Sequence, residues 1–261
     1  MQSNKNLDGG KAFDWGLASE NYAKYRDIYP EEFYERIAKL GHCKKGQKVL
    51  DLGTGTGVLP RNMYKYGAKF VGVDISENQI KYAKKMSTGL DIEYIISSAE
   101  DLNFEEKSFD VVTACQCFMY FDKSVLLPKV HKILKPDGHF LILFMAWLPL
   151  ESEIAKKSED LVLKYNPSWS GGRMTRYEIT KPEWLGDMFE VANAITYDID
   201  VEFTRESWNG RMKACRGIDA SLPTETIAEF EKEHLEYLNT VPEKFMIPHY
   251  VSVLDLKKIS K

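Results

Sequence analysis

From Lys48 onward the chain alternates short apolar runs with longer amphipathic ones, and this alternation restricts the fold more than any other feature. Lys48 to Leu52, Phe70 to Asp74, Ile92 to Ile96, Phe109 to Cys115 and Phe140 to Phe144 read as strands, several of them apolar on both faces. Leu59 to Tyr66, Glu77 to Met86 and Lys123 to Leu134 carry helical spacing between them. Strand, helix, strand in repetition predicts a parallel sheet with right-handed crossovers. Ser76 ahead of the acidic Glu77 opens one helix, and Lys135-Pro136-Asp137-Gly138 is expected to stop another. After Trp147 the regularity breaks. Helical segments are expected at Glu151 to Tyr165, from Pro182 and between 206 and 239, with further strands at Ile195 to Phe203 and Met246 to Leu256.

A chain of 261 residues fits one large domain with attached segments, and 44% hydrophobic residues suffice for a packed core. A net charge of -4, from 35 basic and 39 acidic residues, argues against a general polyanion binder, which needs a basic stripe to displace counterions. The N-terminal stretch has no apolar segment of the secretory type. The longest apolar run, Phe140 to Leu150, is eleven residues, short of the roughly 20 that span a bilayer. Cys43, Cys115, Cys117 and Cys215 are expected as reduced thiols, the location as cytoplasmic, and no membrane partner is expected. Cys115 and Cys117 lack a second pair at zinc spacing, so no metal site is expected.

The stretch Val49-Leu50-Asp51-Leu52-Gly53-Thr54-Gly55-Thr56-Gly57 carries the most chemical information. A glycine-rich turn between first strand and first helix lets a ligand approach backbone that a Cβ would shield. A dinucleotide fingerprint would place its third glycine where Val58 stands. Asp51, two residues ahead of the first glycine, suits an ammonium group rather than a pyrophosphate. Asp74, at the end of the second strand, can accept hydrogen bonds from both ribose hydroxyls of any adenosine-bearing ligand.

These residues resemble the class I S-adenosylmethionine-dependent methyltransferases, of the small-molecule type. The blocks D-L-G-T-G-T-G, V-G-V-D-I-S, S-S-A-E-D-L-N-F, F-D-V-V-T-A and L-K-P-D-G-H-F-L-I-L-F follow that family's order over roughly residues 45 to 147. The resemblance implies a doubly wound, Rossmann-like α/β fold, with a mostly parallel sheet of seven strands, the last inserted antiparallel, and a helical cap. It divides the chain into an N-terminal helical flap at 1–44, a cofactor-binding core at 45–147, and cap segments with the final strands of the same domain at 148–261. It also implies that Asp51, Gly53 and Gly55 hold the methionine portion and Asp74 the ribose, with Thr54 and Ile75 as further contacts. Ser98, Ala99 and Glu100 would line the adenine, although the family often has Asp at the position of Ser98. Gln116 would face the methyl donor, and Tyr22, Tyr25 and Arg26 would fold over the cofactor from the flap. The implied reaction converts S-adenosylmethionine to S-adenosylhomocysteine while methylating a small molecule at O, N or C.

A sulfonium donor needs little acid or base help, so alignment and water exclusion dominate. Tyr120 and His249 are the candidates if a base is required. Ala114 to Phe121 lacks the Asn/Asp-Pro-Pro-Tyr that resemblance would demand of a nucleic acid base methylase, so nucleic acid is not the expected substrate. Five of the eight arginines fall between 173 and 216, and guanidinium forks bind carboxylates or phosphates bidentately. Arg173 and Arg211 are therefore candidates for an acidic acceptor, with Trp208 as an aromatic wall, while ion pairing with the eight acids nearby is the competing account. Other functions remain open at this level: a nicotinamide-dependent oxidoreductase, which Val58 and Asp51 disfavour, a protein that holds S-adenosylmethionine without turnover, and methylation of a protein, which an open acidic groove would mark. Oligomeric state is not legible.

Overall fold

The computed structural model describes residues 7–259, so residues 1–6 of the expected flap and 260–261 of the expected last segment lie outside the described residues. In chain order the elements are α1 (Ser19–Tyr25), α2 (Glu31–Lys39), β1 (Lys48–Leu52), α3 (Val58–Met63), β2 (Lys69–Asp74), α4 (Glu77–Met86) and β3 (Ile92–Ile96). They continue as β4 (Phe109–Cys115), α5 (Lys123–Ile133), β5 (Leu134–Trp147), α6 (Glu153–Tyr165), β6 (Phe189–Thr204), α7 (Arg205–Lys213), α8 (Thr224–Leu238) and β7 (Lys244–Lys258). One seven-stranded sheet runs in the order β3-β2-β1-β4-β5-β7-β6, and the β1–β2, β1–β4, β2–β3 and β4–β5 ladders are parallel. The parallel sheet expected from the alternation is present, in the doubly wound, seven-stranded form that the resemblance implied, with β7 inserted between β5 and β6.

Local signals account for the regular half. The Ser76 hydroxyl caps α4 by accepting the Gln79 N–H at 3.3 Å, with Glu77 in the first turn and Lys84 and Lys85 in the last. β1 buries Val49, Leu50, Asp51 and Leu52, as a strand covered on both faces must. The proline-glycine segment after α5 departs from expectation. It forms no loop: β5 begins at Leu134, and the irregularity is absorbed by Asp137 at φ 62° and a register shift between Phe109 and Val111. β6 also starts six residues before the predicted Ile195, and its alternate residues Glu190, Asp198, Asp200 and Glu202 give this edge strand the charge that discourages pairing with another chain.

The chain forms two compact units. The core unit comprises Tyr29–Met145, Glu178–Tyr197 and Val251–Lys261, and the cap unit Met1–Ile28, Ala146–Tyr177 and Asp198–Tyr250. These divisions differ from the three segments drawn on the sequence, because residues 29–44, 178–197 and 251–259 go with the core unit and 146–147 with the cap unit. Within it α2 buries Phe33, Tyr34, Ile37 and Ala38, and the Arg36 guanidinium lies 4.1 Å over the Tyr197 ring. The interior of the core unit is aliphatic and aromatic, built from Leu50, Leu52, Val112, Leu126, Val130 and Phe140 among others. Each such side chain contributes roughly 1.5–3 kcal/mol on burial.

The cap unit is packed differently. Helix α7 contacts α1 and α8, and α8 contacts α6. At the centre the fully buried Trp208 donates its indole N–H to Ser158 Oγ at 2.8 Å, while His234 bridges Ser158 at 2.9 Å and Asn209 Oδ1 at 2.8 Å. Arg216 closes a buried ion pair with Asp8, Nε to Oδ2 at 2.6 Å, and Ser170 donates to the same carboxylate. All four cysteines are free thiols, three of them buried. Among the described residues no helix is long and apolar enough to cross a membrane.

Candidate functional site

The glycine loop leaves β1 at its carboxyl end. Gly53, Gly55 and Gly57 adopt φ of 56°, 57° and 74°, the left-handed region open to glycine at little cost. Two of these glycines also answer to crowding inside the fold, which the sequence did not reveal. A Cβ on Gly53 would lie 2.9 Å from the Cys117 side chain, and one on Gly57 only 2.2 Å from the Tyr94 hydroxyl. The loop is docked by Thr54 N–H to Val73 O at 2.9 Å and closed by Gly57 N–H to Thr54 O at 2.9 Å.

Asp74 holds the same loop. One carboxylate oxygen accepts the Gly55 N–H at 2.9 Å and the other the Ser76 N–H at 2.8 Å. Each oxygen retains a lone pair, so the carboxylate can still accept hydroxyl donors. Burial pushes the Asp74 carboxyl above its ordinary value, against the lowering effect of those two backbone bonds. Its neighbour Ile75 is half exposed beside the polar loop.

Asp51 is almost completely buried, with Thr113 Oγ1 donating to it at 2.6 Å across the β1–β4 ladder. Burial pushes its carboxyl up to about 6, opposed by the Thr113 and Thr54 hydroxyls and reinforced by the charge of Asp74. A desolvated carboxylate of this kind gains most from a cation placed against it. Thr113 was missed on the sequence, although a hydroxyl inside the apolar run Phe109 to Cys115 was the signal that could have found it.

Gln116 follows β4 at φ 64°, a left-handed conformation that is costly for a residue with a Cβ. Its side-chain amide donates to the Met145 carbonyl, and its backbone N–H to Leu143 O at 2.9 Å. Ser98 Oγ donates to Asp101 Oδ2 at 2.7 Å and accepts the Asp101 N–H at 3.1 Å, a local turn. Ala99 belongs to the core cluster, and Glu100 accepts the Asp122 N–H at 2.9 Å. Tyr120 packs its ring against the core cluster.

The remaining candidates fall in the cap unit. Arg26 lies 4.6 Å over the Tyr22 ring and 5.9 Å over that of Trp15. Tyr25 donates to Glu206 at 3.0 Å and packs against Gly210, where a Cβ would meet its ring at 2.2 Å. The flap residues are thus anchored on α7. Arg211 is buried with its guanidinium 4.7 Å over Trp147, and Trp147, Trp208, Phe203 and His249 form a continuous series of ring contacts. Trp208 is spent on this interior, its N–H bonded to Ser158, which removes it as a direct contact for a substrate. Arg173 is exposed at φ 60°, its backbone N–H donating to Glu159 at 2.7 Å. Ion pairing does account for several of the clustered arginines: Arg176 with Glu151 and Asp198, Arg205 with Glu243, Arg216 with Asp8.

His249 is buried, with Nδ1 2.8 Å from Ile247 O and Nε2 meeting no hydrogen-bond partner among the described residues. Burial pushes its imidazole down to about 4, and the charge of Arg211 adds to the effect. A group that weakly basic is mismatched to proton abstraction near neutral pH. It fits a neutral hydrogen-bonding role better than that of the base it was a candidate for had one been required.

A seven-stranded α/β sheet with its glycine loop and two acids at the carboxyl ends of β1 and β2 defines a Rossmann-like fold. Residues 50–142 match the family model described as a methyltransferase domain. Among curated proteins, a ubiquinone biosynthesis O-methyltransferase from Pseudomonas entomophila is 28% identical over 188 residues, covering 70% of this chain and 79% of that protein. A candidate methyltransferase from Dictyostelium discoideum is 30% identical over 129 residues, and the match spans 49% of this chain and about half, 47%, of that protein. Among solved structures, a candidate methyltransferase from Bacillus halodurans aligns with a TM-score of 0.55 at 18% identity, covering 88% of this chain and all of that one. Over residues 50–142 the chain is thus similar to the methyltransferase domain family, and its fold is that of the solved candidate methyltransferase.

Proposed function

We propose that the protein transfers the methyl group of S-adenosylmethionine to an acidic small molecule, at O, N or C, and releases S-adenosylhomocysteine. The observation that carries this reading is Asp51, a buried carboxylate at a glycine loop, pushed up to about 6 and matched to the ammonium of a methionine derivative. Gly53, Thr54 and Gly55 present backbone to the same portion, Asp74 accepts the ribose hydroxyls, and Ile75 offers an apolar surface to the nucleoside. Ser98, Ala99 and Glu100 are assigned to the adenine and Gln116 to the vicinity of the reacting carbon. Tyr22, Tyr25 and Arg26 are assigned to covering the nucleoside.

The sulfonium supplies an activated methyl whose thioether leaving group departs without a proton. The protein's share is then positioning and exclusion of water. Arg211 and Arg173 are assigned to the acceptor's acid, and the neutral His249 imidazole to orienting it.

Calorimetric titration of the purified protein with S-adenosylmethionine, S-adenosylhomocysteine and NAD tests this reading. Micromolar binding of both sulfur nucleosides, no binding of NAD, and loss of binding in Asp74→Ala are expected. An acceptor screen would then begin with small carboxylic acids. Failure of both sulfur nucleosides to bind overturns the proposal.

A further inference from the structure

Away from the glycine loop, the core unit gathers three side chains that are far apart in sequence. His42 follows α2, His139 lies on β5 level with Val111 of β4, and Asp255 lies on β7. Val111 is itself level with Val49 near the start of β1, so the cluster sits toward the amino ends of the parallel strands, opposite the end that carries Gly53 and Gln116. One ligand atom from each residue lies within 4.8 Å of the others. His42 Nε2 is 3.0 Å from one Asp255 oxygen and His139 Nδ1 2.6 Å from the other. The two imidazole rings stand 4.6 Å apart.

We propose that His42, His139 and Asp255 bind one divalent transition-metal ion of the zinc type. Two imidazoles and a carboxylate are a donor set zinc accepts, with a fourth position left for water. The Asp255 side chain has no exposure to water, and a carboxylate so placed is costly unless a positive charge faces it. The His139 side chain retains 22% exposure, which gives an ion a path from solvent. Zinc bonds of about 2.0–2.1 Å in tetrahedral array separate neighbouring donors by about 3.3 Å, so both contacts need open by less than about 1 Å. Asn193 Nδ2 donates to the carboxylate at 2.7 Å and fixes its orientation, the usual service of an outer partner. The ion ties the α2–β1 connection to β5 and β7, a structural role remote from methyl transfer. No Cys or His spacing in the sequence announces it, since the three residues are separated by 97 and 116 positions.

The test is calorimetric titration of the chelator-treated, full-length protein with Zn2+, alongside His139→Gln. Glutamine keeps a donor toward Asp255 but is a poor zinc ligand, so it separates metal binding from a plain hydrogen-bonded clamp. One equivalent of Zn2+ is expected to bind and raise the Tm, with affinity lowered on the order of 100-fold in the variant while its metal-free Tm stays near that of the parent. Should the variant fold poorly, Asn193→Ala is expected to weaken zinc on the order of 10-fold. Co2+ substitution is expected to give tetrahedral visible bands without a thiolate charge-transfer band. Absence of stoichiometric Zn2+ binding, unchanged affinity in these variants, or a thiolate band pointing to a cysteine would overturn the proposal.

Discussion

The core unit holds its shape with aliphatic strands, backbone ladders and left-handed glycines, whereas the cap unit holds its shape with buried polar side chains threaded through aromatic rings. Leu50, Val112 and Phe140 typify the first. Asp8 with Arg216, and Trp208 with Ser158, His234 and Asn209, typify the second. The difference teaches where each unit is vulnerable. An apolar core loses stability in proportion to the volume removed, while a buried polar network fails when one member leaves another uncompensated.

The largest expected effect is in the cap. Arg216→Ala strands the Asp8 carboxylate in the interior and is expected to cost about 3–5 kcal/mol, read as lost hydrogen-exchange protection in α7 and α8 with the β1–β4 amides spared. Equal loss in both units would break the comparison. Next comes Gly57→Ala in the core, where a left-handed φ of 74° and a Cβ at 2.2 Å from the Tyr94 hydroxyl are expected to cost about 2–3 kcal/mol in chemical denaturation. Relief of that cost by Tyr94→Phe would identify the hydroxyl as the obstacle.

Asp51→Asn sharpens the contrast between stability and binding. Loss of the charge is expected to weaken S-adenosylmethionine by about 2 kcal/mol, or roughly 30-fold, while the Tm holds or rises because a desolvated carboxylate has gone. A fall in Tm with unchanged binding would reverse the assignment.

The smallest effect is a pH dependence of opposite sign in the two units. Burial pushes His234 and His249 down to about 4, so between roughly pH 6.5 and 4 the unfolded cap binds protons the folded cap refuses, and their contribution is lost as pH falls. Asp51 in the core, pushed up to about 6, takes a proton when folded before it would unfolded, so its contribution grows as pH falls from about 6 to 4. Glu159 and Asp219, raised by burial, oppose the histidines within the cap. The clean readout is therefore a difference: between pH 7 and 5, His234→Gln is expected to flatten the cap's stability profile by about 1–2 kcal/mol, measured by hydrogen exchange. A parallel displacement of the two profiles would remove His234 as the cause.

The contrast also explains what the sequence could disclose. The β1–α3–β2 passage was legible almost residue by residue, because turn glycines, the Ser76 cap and uninterrupted apolar strands are local statements. Asp51 and Asp74 could be singled out for the same reason. The partnership of Asp8 with Arg216 spans 208 residues, and the chain shows no pattern that links them. Trp208 looked like an aromatic wall for the acceptor because composition records that an aromatic is present, not which way burial turns it. The assignment of α2 to the core depended on long-range contacts such as Arg36 with Tyr197, which no periodicity contains.

One hydrogen bond carries a kinetic consequence. Because the Asp74 carboxylate grips the Gly55 amide, the loop between β1 and α3 holds its bend through the protein's own bonds. The nucleoside proposed to bind there would meet a loop already bent, so the prediction is that related ligands differ more in how slowly they leave than in how fast they arrive.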